Sequence, residues 1–290
     1  MKSSTLPPFY RLTHFAIFLT LFVPSLVFGH VHPRLLIEAT ELPELRDRIT
    51  REPYASMMAE LESFAENDTT VSAQYGETVA AVNCGFLYLL TGDDTWAAKA
   101  RSYAETRLTD TGNSHGWDRD IKGLALYWHG RGMALAYDFC HDAPSWNTAA
   151  GLGSTPAEPF VDYVRDRLKA QADRIYEDGG NEQNRNAASN WQNNRFASAG
   201  LIYLAIEESL TEGEKTRIHG CMDKVETYLV ENMGDSPDSR GFNIEAIGYQ
   251  MYPWSFTGPF AIAAERLGYG RMADAAPAAS PSSEGPLRRC

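Results

Sequence analysis

Cysteine is scarce in this 290-residue chain: Cys84, Cys140, Cys221 and Cys290 are all there is, and no two form a C-x-x-C pair. That spacing removes the usual zinc-finger and redox signatures. The first three each fall inside a helical pattern, which predicts buried free thiols rather than a disulfide framework. Basic charge is also short. Lys and Arg number 26 against 38 Asp and Glu, a net charge of −12. Such a chain is poorly suited to nucleic acid, and an anionic polymer would need a local basic cleft. Two further patterns are missing. No alternation of apolar and polar residues reads as a strand. No apolar run reaches the roughly 20 residues of a membrane-spanning helix.

The two ends of the chain read differently from its middle. Lys2 and Arg11 precede the apolar run Phe15 to Phe28, which ends at Gly29, and no acidic residue comes before Glu38. This layout predicts a secretory signal peptide over 1–29 and an exported protein, periplasmic or secreted, with its mature start near His30. No membrane partner is expected after cleavage. At the other end, 272–290 is dense in Ala, Pro and Ser without apolar periodicity. It predicts a disordered tail, as a truncated or frame-altered end or a natural linker would produce. Asn67-Asp68-Thr69 has the form of a glycosylation sequon.

Between them, about 43% hydrophobic content suits a chain that buries a core, and its spacing is helical throughout. Leu42, Leu45, Ile49, Met57, Leu61 and Phe64 predict a first helix with Thr40 as N-cap. Further helices are expected over Val79–Leu90, Trp96–Leu108, Leu124–Phe139, Pro156–Tyr176, Trp191–Leu210, Glu212–Met233 and Ile244–Leu267. The last should break at Pro253 or Pro259. Helices as apolar as Val79–Leu90 suggest an inner layer covered by amphipathic partners. That suits an α/α toroid, with a plain bundle or solenoid as the alternatives.

Five stretches, in order, carry a resemblance: HPRLLIEATELPELRDRI, GFLYLLTGDDTWAAKA, GRGMALAYDFC, SNWQNNRFASAG and EAIGYQMYP. Together they resemble the helical domain of the heparinase II/III-like polysaccharide lyases, which are related to alginate and chondroitin lyases. The resemblance spans roughly 30–271. It implies an all-α domain, an incomplete (α/α) toroid of antiparallel helical hairpins without the family's C-terminal β-sandwich. It also implies cleavage of a uronic-acid-containing polysaccharide, alginate or glycosaminoglycan type, by β-elimination. No metal or cofactor is implied, and the partner is the anionic polymer. Oligomeric state is left open.

β-Elimination needs donors that neutralise the uronate carboxylate, a base for the C-5 proton and an acid for the departing oxygen. Asn190 to Arg195 places four carboxamides and a guanidinium at a helix start, where free N–H groups also favour an anion. The same residues would equally serve as caps and a polar turn. By resemblance, Asn193 or Asn194 neutralises the carboxylate, and Arg195 stands where the family often has His. Arg cannot act as a base, but it can hold the carboxylate beside Gln192 and Trp191. Also by resemblance, Tyr249 donates the proton to the leaving oxygen. Tyr252 is its fallback at i+3, and Glu245 orients a donor. Trp117, Trp128, Trp191 and Trp254 are candidates for stacking on sugar, Arg131 and Arg185 for cleft charge, and His115, His129 and His141 for a base. A glycoside hydrolase on the same toroid would instead draw on Asp118, Asp120 or Asp138. A non-catalytic glycan-binding remnant is the third reading.

Overall fold

The computed structural model describes residues 31–67, 76–109, 117, 124–151, 158–177, 190–230 and 247–270. The segments expected to be a signal peptide and a disordered tail, Glu245, His115, Asp118, Asp120, Arg185, the rest of the sequon after Asn67, and the side chain of Tyr249 lie outside them. The described residues are all-helical, with nine α-helices and no strand. A single antiparallel bridge, Ala149 to Pro159, is the nearest thing to a sheet.

Two short helices come first, α1 (Leu42–Arg48) and α2 (Tyr54–Asn67). A single helix was expected here. Pro53 divides it, because proline has no N–H to continue the ladder and disfavours helical geometry in the residue before it. Thr40 is not the N-cap either. It sits inside a 3-10 turn capped by Glu38, and the N–H of Glu38 donates to Glu41 Oε2 (2.7 Å).

The remaining helices follow as α3 (Gly76–Thr91), α4 (Asp94–Thr109), α5 (Leu124–Cys140), α6 (Phe160–Glu177), α7 (Asn190–Ala205), α8 (Glu212–Leu229) and α9 (Ile247–Arg266). Gly92, at φ +73°, ends α3 in the left-handed conformation that glycine adopts without strain. Asp93 then accepts the N–H of Thr95 (3.0 Å) to start α4. α8 opens with a reciprocal box. Thr211 Oγ1 accepts from the N–H of Glu214 (3.3 Å), and Glu214 Oε2 accepts from the N–H of Thr211 (2.8 Å). The sixth expected helix stops early: α7 ends at Ala205 and a 3-10 turn, Glu207–Ser209, follows.

α9 does not break at its prolines. It runs continuously through Pro253 and Pro259. Pro259 withholds the N–H that would bond the carbonyl of Ser255, four residues back. Arg131 Nη1 of α5 fills that place (2.5 Å). A neighbouring helix thus supplies the donor that the proline removes.

Packing sorts the helices into two layers. α3, α5, α7 and α9 lie side by side in that order, while α4 packs on α3, α6 on α5 and α7, and α8 on α7. Short connections such as Thr91 to Asp94 make sequential neighbours hairpins. α7 lies at the centre, and every one of its residues except Trp191 is buried. Its small residues let neighbours approach. A Cβ on Gly200 would stand 2.3 Å from the Phe260 ring of α9, and one on Gly130 of α5 would stand 2.8 Å from Ile202. Cys84, Cys140 and Cys221 are buried and in no disulfide, as their helical setting predicts. Burial pushes the thiols of Cys140 and Cys221 up, away from the reactive thiolate.

Candidate functional site

The polar start of α7 is drawn inside the protein. Asn190, Gln192, Asn193, Asn194 and Arg195 are buried, and Trp191 is half-buried. Asn193 is a cross-link. Its Oδ1 accepts from Thr257 Oγ1 (2.9 Å), and its Nδ2 donates toward the carbonyl of Pro253 (3.4 Å) and toward Asn194 Oδ1 (3.2 Å). Asn193 therefore fastens α7 to α9. Asn194 is different. It is fully buried, and among the described residues its Nδ2 has no hydrogen-bond partner. A buried donor left unmade costs about 1–3 kcal/mol, so this amide is either tolerated strain or a donor kept for a ligand.

Arg195 faces a neighbouring helix. Its Nε and Nη2 donate to the carbonyls of Ile175 (2.7 Å) and Tyr176 (2.5 Å), the last turn of α6, and its guanidinium lies over the Phe196 ring. A cation bonded to the free carbonyls of a helix end satisfies both the acceptors and the dipole. The expected carboxylate-holding role has no support in this geometry.

α9 carries the tyrosines. Tyr249 lies in its first turn and Tyr252 follows at i+3, the same helical face. Tyr252 stacks on Trp128 of α5 (centroids 6.2 Å, planes 9° apart), and both meet Phe256 edge-on. Arg131 lies over Trp128 (4.1 Å) and Phe256 (4.6 Å). Burial lowers its pKa to about 10, and the charge of Tyr252 works against that fall. Trp128 and Arg131, neighbours on one face of α5, and Tyr252, distant in sequence, thus form one cluster between α5 and α9. Trp254 is half-buried against the core, and Trp117 is buried with its carbonyl accepting from Arg174. His129 bonds Thr78 of α3 through Nδ1 (2.9 Å) in a buried setting, a helix-to-helix tie.

The far end of α7 holds a second polar cluster, of which the sequence pointed only to Asp138 and His141, in other roles. Asp138 accepts from the N–H groups of Arg34 (3.0 Å) and Leu35 (3.1 Å) and pairs with His32 Nδ1 (2.7 Å). The carboxylate is wholly buried, so it anchors the N-terminal segment and is not presented to a glycosidic bond. Arg34 Nη2 donates to the carbonyls of Leu204 (3.1 Å) and Ala205 (2.9 Å) at the end of α7, and to Glu208 Oε2. Burial would push the Glu208 carboxyl up, but His32 and Arg34 together bring it down to about 2. Burial likewise opposes charging of His32, yet its bond to Asp138 and the Glu208 carboxylate facing Nε2 at 3.8 Å hold its pKa above the usual value. His141 stacks on His32 (4.0 Å, planes 15° apart). His32, Arg34 and Glu208 showed no signal because 106 residues separate His32 from Asp138 and no local spacing relates them.

An open cavity of about 380 Å³ lies elsewhere, between α8 and the end of α9, lined by Glu207, Lys215, His219 and Tyr269 among others. Lys215 there pairs with Glu207 (2.8 Å) and Glu212 (3.2 Å). It coincides with neither end cluster. Among the described residues no helix is long and apolar enough to cross a membrane. No model of a known protein family matches the chain, and no curated protein is significantly similar to it.

Proposed function

We propose that this chain is the helical part of an exported polysaccharide lyase that cleaves a uronic-acid-containing polymer, of alginate or glycosaminoglycan type, by β-elimination. Its row α3, α5, α7, α9 is then an arc of an α/α toroid. The reading rests on the resemblance of the five ordered stretches. The observation that carries it is the fully buried, unpartnered Nδ2 of Asn194 at a helix start.

An amide held ready in this way can donate to a uronate carboxylate. That donation lets the negative charge from C-5 spread onto the carboxylate as a general base takes the C-5 proton, which is worth most where water is excluded. Asn193, locked to Thr257, keeps the turn in register. Tyr249, or Tyr252 beside the Arg131 cation, passes its proton to the departing glycosidic oxygen. Loss of that oxygen leaves a C4–C5 double bond. Because Asn194 is shut off from solvent, polymer binding has to be coupled to an opening over it.

The test is incubation of the purified chain with alginate, chondroitin, hyaluronan and heparin, following the unsaturated product by its ultraviolet absorbance. Asn194→Leu should lower kcat by about 10²–10³, the effect of deleting one such donor. Activity that survives Tyr249→Phe removes Tyr249 as the acid. New reducing ends without absorbance identify a hydrolase, and binding without product identifies a glycan-binding domain. Either outcome overturns the lyase reading.

A further inference from the structure

We propose that His32, His141 and Glu208 form a site for one divalent transition-metal ion of the zinc class, which staples the N-terminal segment to the ends of α5 and α7. One ligand atom from each of the three residues lies within 4.8 Å of the others. Four observations support a ligand set.

Both imidazoles are held the same way. His32 Nδ1 meets Asp138 Oδ1 (2.7 Å), and His141 Nδ1 meets Asp142 Oδ1 (2.6 Å). Each carboxylate takes the Nδ1 proton and leaves the Nε2 lone pair for a ligand. A carboxylate behind a histidine is the usual support of a metal-bound imidazole. Secondly, His32 Nε2 is buried without a hydrogen-bond partner, and His32 as a whole is 7% exposed. Thirdly, that nitrogen faces Glu208 Oε1 at 3.8 Å. A proton on Nε2 makes this contact an ion pair, and a metal ion bound between the two atoms would take that proton's place. Fourthly, Arg34 already holds the other oxygen of Glu208, which orients the carboxylate as a one-oxygen ligand.

The donor set selects the metal. Two imidazoles and one carboxylate suit zinc, copper or nickel, and not magnesium or calcium, which want oxygen. Three protein ligands leave one tetrahedral position for water. Tetrahedral donors at roughly 2.1 Å from zinc lie about 3.4 Å apart, so the ligands must draw in and the stacked rings must turn. His141 is half-buried and the Glu208 side chain is 44% exposed, so both have room to move. No cysteine takes part, so the lack of C-x-x-C pairs does not bear on this site.

The experiment uses the full, tag-free chain stripped with chelator and titrated with Zn²⁺ alone by calorimetry. Co²⁺ follows as a probe whose visible absorption reports tetrahedral coordination. The expected result is one equivalent bound, a tetrahedral Co²⁺ spectrum and a Tm that rises with Zn²⁺. His141→Gln and Glu208→Gln should each weaken binding at least tenfold while keeping the helical circular dichroism. Asp142→Asn should weaken it about tenfold through the supporting shell. Failure to bind one equivalent overturns the proposal. So does binding that His141→Gln and Glu208→Gln both leave unchanged.

Discussion

The two ends of α7 solve the same problem in different ways. Both bury polar groups against neighbouring helices, roughly 15 Å apart along ten residues of helix. At the C-terminal end nearly every group is matched. Arg34 takes the free carbonyls of Leu204 and Ala205, Asp138 takes two backbone N–H groups and a histidine, and Glu208 takes the guanidinium. At the N-terminal end the matching stops one group short, at the amide of Asn194. A saturated cluster holds a fold together. An unsaturated one sits where binding can complete it, since sites are where locally unfavourable arrangements persist. The C-terminal end is not wholly matched either: among the described residues His32 Nε2 lacks a hydrogen-bond partner, and the metal proposal rests on that atom.

Three measurements would break or sharpen this contrast. The largest effect is expected from Asp138→Ala. It strands two buried N–H groups and His32, and should cost about 3–5 kcal/mol, the range for breaking a buried charged network. Urea denaturation reads this directly. A loss under 1 kcal/mol would show that the C-terminal cluster is not the anchor.

The next effect is a difference between adjacent residues. Asn193→Leu removes the tie to Thr257 and Pro253 and should destabilise the protein by about 1–2 kcal/mol. Asn194→Leu removes a donor that has no partner among the described residues and one acceptor of Asn193 Nδ2, which keeps the Pro253 carbonyl, so the loss should be smaller, under about 1 kcal/mol. Equal losses in both variants would mean that the Asn194 amide is satisfied after all and is not held for a ligand.

The smallest effect is a pH dependence. Glu208 has a lowered folded-state pKa of about 2 against an ordinary 4.5. Its contribution is therefore present above pH 4.5 and lost as pH falls toward about 2. With the side chain 44% exposed, solvent screening limits that contribution to about 1 kcal/mol. The stability gap between the parent and Glu208→Gln should close between pH 4.5 and pH 2. A gap that stays constant over that window would remove Glu208 from the network. His32 works in the other direction. Its raised pKa gives stability that is full below 6.5 and is lost as pH rises through its higher folded value.

Helical character was legible because periodicity is a local property. The apolar spacing of Val79–Leu90 and Leu124–Phe139 sits on α3 and α5, and α3 ends at Gly92, just past the expected Leu90. The prolines show where local rules end. Pro53 breaks a helix, whereas Pro259 does not, because Arg131 on another helix supplies the missing donor. The N-terminal cluster was half legible. Asn193, Asn194 and Arg195 stand out as a run, but their three different tasks are set by α9 and α6. The C-terminal cluster was illegible, since His32, Asp138 and Glu208 share no spacing and meet only through folding.

By itself the sequence determined an acidic chain, helical over the described residues, with thiols buried in helices at Cys84, Cys140 and Cys221, because charge, composition and helical period need no partner to be read. Only the tertiary structure decided that Arg195 caps α6, that Asp138 is an anchor and that the Asn194 amide is left over. Those are matters of which donor meets which acceptor. That matching depends on contacts across tens to hundreds of residues, which a one-dimensional pattern does not carry.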